Sequence, residues 1–177
     1  MTIAEKENVR KTRGQKRAAK TRQKLKAAAL DIFSEKTVDA TTIDEITRKA
    51  DVGKGTLYQH FSDKEQIVVS LVDDTVNHLI ERMNAFEARP ESLEGMLEHL
   101  LDVHYVFSLD SKEEFLLFFQ GRLLLKLQSD TLDELEEPYM RYLEAIERLL
   151  SLYLSPRINA TKVRRLACAV AGFVLVL

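Results

Sequence analysis

TTIDEITRKADVGKGTLYQHFSDK, residues 41–64, holds two short helical patterns around a glycine-bearing turn and ends on the capped start of a third helix. Thr42 followed by Glu45 is a capping box, a pairing that satisfies two amide groups a helix start otherwise leaves open. Ile43 and Ile46 give this helix its apolar face, and Asp51-Val52-Gly53 ends it. The second helix is expected at about residues 54–61. Leu57 and Phe61 are four apart and share one face, while Lys54, Thr56, Tyr58, Gln59 and His60 project elsewhere. A buried edge opposite a polar, basic and aromatic edge, joined to a preceding helix by a tight turn, is the arrangement by which a helix-turn-helix places a helix in the major groove.

Upstream, a first helix is expected from about Lys16 to Glu35, with Leu25, Ala28, Ala29, Ile32 and Phe33 inward and Lys20, Arg22 and Lys24 outward. Residues 1–15 carry Lys6, Arg10, Lys11 and Arg13 with almost nothing to bury, and are expected to form a flexible basic arm. Two readings of the arm stand side by side: a solvated tail, or an arm whose Arg10, Arg13 or Arg17 enters a minor groove. Downstream, Ser62 with Glu65 forms a second capping box and opens a long helix to about Phe86, with Ile67, Val68, Leu71, Thr75, Leu79, Met83 and Phe86 inward.

Thr41-Thr42-Ile43, the run Val52-Gly53-Lys54-Gly55-Thr56-Leu57-Tyr58-Gln59-His60-Phe61, Ser62-Asp63-Lys64-Glu65 and the preceding Ala29-Leu30-Asp31-Ile32-Phe33 together resemble the DNA-binding domain of the TetR family of bacterial transcriptional regulators. The resemblance covers about residues 20–72. It implies roles for individual residues. Thr42 would offer its hydroxyl and nearby amides to a phosphate. Lys54 and Thr56 would reach base edges, with Gln59 a further base reader. Gly55 would let the backbone approach DNA closely. Tyr58, His60 and Lys64 would contact phosphates. Leu57 and Phe61 are core by periodicity, and His60 also reads as a surface or capping histidine.

The remainder reads as helices: Ser92 to about Phe107, then FLLFFQGRLLLKL behind a capping box of Ser111 with Glu114, then a helix that Pro138 either opens or kinks, then a last helix capped by Ser155-Pro156. The fold class is therefore all-α: an N-terminal three-helix helix-turn-helix domain, residues 16–64, and a C-terminal helical bundle, residues 65–177, for which the resemblance implies ligand binding and dimerisation. His104, Phe118, Phe119, Arg122, Tyr139 and Tyr142 are candidate ligand contacts, although the same side chains would equally build a helical core. Arg122 in the most apolar helix needs a carboxylate or an anionic ligand as partner. A metal site from His99 and His104 is disfavoured by a five-residue spacing that does not stack them on one helix face. The run from Ala171 to Leu177 carries no polar cap, which predicts a truncated chain or an end covered by a partner.

Composition bounds these readings. With 45% hydrophobic and 31% charged residues over 177 positions, the chain can bury a substantial core. One cysteine, Cys168, excludes an internal disulfide. The apolar run 166–177 is too short to span a bilayer. The net charge of −2 hides a division: ten Lys/Arg against two Asp/Glu through Lys26, a balance of +8, and sixteen against twenty-six after it, a balance of −10. Basic charge beside the helix-turn-helix fits a polyphosphate partner there. No phosphate-binding glycine loop, and no nucleophile with a base at a recognisable spacing, points to catalysis. These bounds fit a cytoplasmic, non-enzymatic protein without cofactor or metal, and the resemblance implies a regulator: a homodimer that binds a double-stranded DNA operator and is released by an unknown small-molecule ligand. The competing expectation is a helical protein-interaction module that keeps the motif as scaffold.

Overall fold

The computed structural model describes the backbone of residues 3–86, 88–125 and 132–174, and the side chains of 14–86, 88–118 and 135–173. Among the described residues the elements are α1 (Ile3–Glu35), α2 (Ile43–Lys49), α3 (Lys54–Tyr58), α4 (Lys64–Asn84), α5 (Leu93–Asp110), α6 (Lys112–Leu125), α7 (Leu132–Ser151) and α8 (Ala160–Val174), with no strand. The all-α class is the one the helix-forming composition predicts. The chain divides into two compact units, Met1–Ser70 and Leu71–Leu177, with the division inside α4.

In the first unit, α1 starts at Ile3 and not near Lys16. Residues 3–15 are mostly Ala, Glu, Lys, Arg and Gln, without proline, and extending a formed helix is far easier than nucleating one. Gly14, at a cost of about 1 kcal/mol against alanine, does not stop it. Leu25, Ala29, Ile46, Leu57, Phe61, Ile67 and Val68 are buried, so α1, the two helices of the motif and the first turns of α4 share one core. Phe33, expected inward, is only half-buried.

The predicted capping box at α2 is present: Thr42 Oγ1 accepts from Glu45 N at 3.3 Å, and Glu45 Oε2 accepts from Thr42 N at 2.9 Å. Between α2 and α3 the turn is made differently from expectation. Gly53 has φ −77 and ψ 154, a conformation open to any residue, and is the N-cap of α3. The left-handed position is Asp51, φ 54, a residue type that tolerates it. At α4 the cap is Asp63 and not Ser62: Asp63 Oδ1 accepts from Gln66 N at 2.7 Å, while Gln66 Oε1 accepts from Ser62 N at 2.9 Å.

In the second unit α5 is capped by Ser92, as predicted, with Ser92 Oγ accepting from Gly95 N at 3.1 Å. Of the two expected positions Pro138 takes the interior one: it does not open α7 but lies inside the helix. α8 starts later than Ser155-Pro156 implies, because Asn159 Oδ1 accepts from Lys162 N at 3.0 Å and so supplies the cap. Ser155 instead holds a turn through its carbonyl, which accepts from Ile158 N at 2.9 Å. At Ser111 it is the backbone carbonyl that accepts from Phe115 N, at 2.9 Å, and the Glu114 carboxylate lies 3.6 Å from His78. Val72, Val76, Leu79, Met83, Met96, Leu100, Phe107, Phe118, Ile146, Leu150 and Ala167 form the core. Arg141 ties α7 to α4 through Asp73 and through Asn77 Oδ1 at 2.9 Å.

Candidate nucleic-acid interface

α3 exposes one side and buries the other, as its spacing predicts. Leu57 and the following Phe61 are buried, while Lys54, Gly55, Tyr58 and Gln59 are exposed and Thr56 and His60 half-buried. Tyr58 is 56% exposed, unusual for so large an aromatic side chain, so its ring is not spent on the core. A Cβ added at Gly55 would meet nothing within 4 Å. The fold therefore does not require glycine there. Arg17 lies on the exposed surface of α1, and the side chain of Arg13 is outside the described residues.

Three of the expected DNA contacts already have partners within the chain. Thr42 donates its hydroxyl to Glu45 Oε2 at 2.8 Å. That carboxylate is pulled down to about 2, first by its hydrogen bond to Lys36 and then by those from Thr42, so it stays ionised at the start of α2. Lys54 Nζ is 2.6 Å from Asp44 Oδ1 in an exposed ion pair, and the hydrogen bond and charge of Asp44 raise the Lys54 pKa. Lys64, expected at a phosphate, donates to the carbonyls of Val38 at 2.9 Å, Asp39 at 3.2 Å and Thr41 at 3.3 Å. Its three N–H groups thereby fasten the loop before α2 to the first turn of α4.

Arg22 is a residue the sequence reading misplaces. Expected outward on α1, it is half-buried: Nη1 donates to His60 O at 2.7 Å, Nη2 to Ser70 Oγ at 3.0 Å, and its guanidinium lies 4.1 Å from the centre of the Phe61 ring. It therefore donates to a carbonyl just past the end of α3, covers the aromatic that anchors that helix, and reaches α4. The signal that could have found it is the need of a helix end for a cationic donor.

In the second unit, four of the six candidate ligand contacts come together. His104 is fully buried, with Nδ1 2.6 Å from Leu100 O and Nε2 2.8 Å from Tyr142 Oη. A carbonyl can only accept, so Nδ1 carries the proton and Nε2 accepts from the tyrosine hydroxyl. Burial holds His104 below its ordinary pKa, with the bond to Leu100 O opposing, and burial also pushes the Tyr142 phenol up. Phe118 lies edge-on to Tyr142 at 5.2 Å and stacks on Tyr139 at 4.9 Å, and Tyr139 donates its hydroxyl to Phe118 O. The side chains of Phe119 and Arg122 fall outside the described residues. His99 Nε2 is 3.0 Å from Met83 O, a protein partner and not a ligand position. Among the described residues no group of three metal-ligating side chains is found.

Residues 25–71, which hold this motif from Leu25 through α2, α3 and the first turns of α4, match the profile of bacterial regulatory proteins, tetR family. Over these residues the chain is similar to the tetR family. Its relatives include the HTH-type transcriptional regulator YvdT of Bacillus subtilis, 25% identical over 70% of this chain and 63% of its own length. IcaR of Staphylococcus epidermidis, the HTH-type negative transcriptional regulator of the biofilm operon icaADBC, is 30% identical over 48% of this chain and 44% of its own length. The chain thus spans less than two thirds of the length of these curated relatives. The transcriptional regulator FadR of Bacillus subtilis, solved in complex with stearoyl-CoA, has a TM-score of 0.68 at 19% identity, covering 87% of this chain and 85% of its own. At this identity the likeness shows a shared helical fold that extends beyond the motif. No helix among the described residues is long and apolar enough to cross a membrane.

Proposed function

We propose that the chain is a cytoplasmic transcriptional repressor that, as a homodimer, holds a double-stranded DNA operator and is released by a small molecule bound in its second unit. The observation that carries the reading is the division of α3: Leu57 and Phe61 are buried, while Gly55, Tyr58 and Gln59 are exposed within residues that match the tetR family. In this reading Lys54, Thr56 and Gln59 face base edges, Tyr58 and His60 face phosphates, and Gly55 admits the DNA backbone. Arg13 and Arg17 add basic charge beside the motif. Thr42 and Lys64 serve by positioning, the first as the cap of α2 and the second as the clamp on the loop before it. IcaR, a negative regulator, supports repression. FadR, which holds stearoyl-CoA, supports a ligand in the helical unit, where His104, Phe118, Tyr139 and Tyr142 supply an aromatic environment with one buried polar pair. A ligand releases DNA only through different affinity for the bound and free states.

Selection of bound duplexes from a random pool tests the reading. A two-fold protein should enrich an inverted repeat with half-sites about 34 Å apart, one helical turn. Enrichment of a single half-site would contradict the dimer, and no enrichment would contradict sequence-specific binding.

A further inference from the structure

We propose that Asp44 is a specificity-determining residue: by pairing with Lys54 it withholds that ammonium from phosphates of any sequence and yields it to a matching base edge. The inference rests on the DNA-binding reading above. Lys54 is the first residue of α3 and Asp44 lies in the first turn of α2, so the turn between the two helices brings an anion against the cation expected to read DNA. The ion pair is short, 2.6 Å, yet both side chains remain 60% exposed. Neither group is buried by the contact, and either can be approached from solvent.

The magnitudes decide what such a pair does. An exposed ion pair is worth about a two- to fivefold bias, enough to offset a single phosphate contact in water. A bidentate contact from lysine to a guanine edge discriminates by about 5- to 150-fold, enough to draw the ammonium away. Where Lys54 finds no matching base edge the pair stays closed, and the ammonium adds nothing to binding. Thr42, Glu45 and Lys36 form a closed set of their own at the same helix start, so the Asp44 charge falls on Lys54.

The test uses random-sequence duplex DNA, titrated at several salt concentrations with the wild type, Asp44→Asn, Lys54→Met and the double variant. Asp44→Asn should bind the random duplex about two- to fivefold more tightly and steepen the plot of log affinity against log salt by about 0.9, one more effective cation. It should also lower the preference for a duplex selected by the wild type over the random one. In the Lys54→Met background the same change should do neither. Equal affinity and slope for Asp44→Asn and wild type would overturn the proposal. So would an undiminished gain in the Lys54→Met background, because Asp44 would then act by repelling DNA directly. If the wild type shows no salt-sensitive binding at all, the DNA-binding reading itself fails, and this proposal with it. Asp44→Glu, which keeps the charge, should restore the wild-type slope.

Discussion

A methyl group added at Gly55 meets open space on the exposed side of α3, so Gly55→Ala separates what the fold needs from what a bound duplex needs. Alanine in a helix is favoured over glycine by about 0.5–1 kcal/mol, and urea unfolding should show unit 1 stabilised by up to that amount. DNA affinity should nevertheless fall by about tenfold, because the backbone can no longer approach. Unchanged affinity would remove the contact from α3. Lys64 gives the opposite case. The sequence places it near the motif and the resemblance suggests a phosphate, but its three donors reach carbonyls at 38, 39 and 41, partners that a reading of side-chain types does not reveal. Lys64→Ala should destabilise the first unit by about 1–2 kcal/mol through loss of charged hydrogen bonds that are partly open to solvent. A salt slope lower by about one, with stability unchanged, would put Lys64 on a phosphate instead.

At the scale of elements, α3 is too short to hold itself: five residues cannot form a stable isolated helix. Its position comes from Leu57 and Phe61 in the core and from Arg22, which binds the carbonyl of His60 and covers Phe61. Arg22→Met keeps most of the aliphatic stem but leaves that carbonyl without its cation, and should cost about 1–3 kcal/mol in chemical denaturation. Arg22→Lys should recover only part, since an ammonium lacks the planar fork that bonds two acceptors and stacks on a ring. Full recovery by lysine would show that charge alone matters. Periodicity made the faces of α2, α3 and α4 legible, and the spacing of Thr42 with Glu45 gave the α2 start correctly. The caps at Asp63 and Asn159 were not legible, because adjacent polar residues offer several equivalent caps and the tertiary path of the chain chooses among them. Arg22 was missed for a related reason. Helical position fixes where a Cα points, but a long side chain can bend back to a partner 38 residues away.

At the scale of the whole molecule, the second unit carries a polar pair set into an apolar interior. The His104–Tyr142 pair in the second unit is buried, and that burial disfavours a charged imidazole. The unfolded chain takes up its proton near the ordinary value of about 6.5, whereas the folded protein does so only at lower pH. The stability contributed by neutral His104 is therefore complete above that value and declines as pH falls below it. Thermal unfolding at a series of pH values should show this decline, and His104→Gln should remove it; an unchanged decline would assign it to other groups. Tyr142→Phe takes away the donor to a buried nitrogen and should cost about 1–3 kcal/mol. That His104 lies on an apolar face was legible from its spacing with Leu100, but its pairing with a tyrosine on α7 depends on how the helices pack.

In the proposed function α3 presents its exposed face to duplex DNA. Fluorescence anisotropy of a random-sequence duplex across a range of salt, with the wild type and with Tyr58→Ala/Gln59→Ala, tests it most directly. The wild type should lose affinity linearly in log salt, and the double variant, altered only at exposed positions, should bind at least about tenfold more weakly at every salt concentration with its thermal stability unchanged. Equal binding by the two proteins, or binding by the wild type that ignores salt, would contradict it.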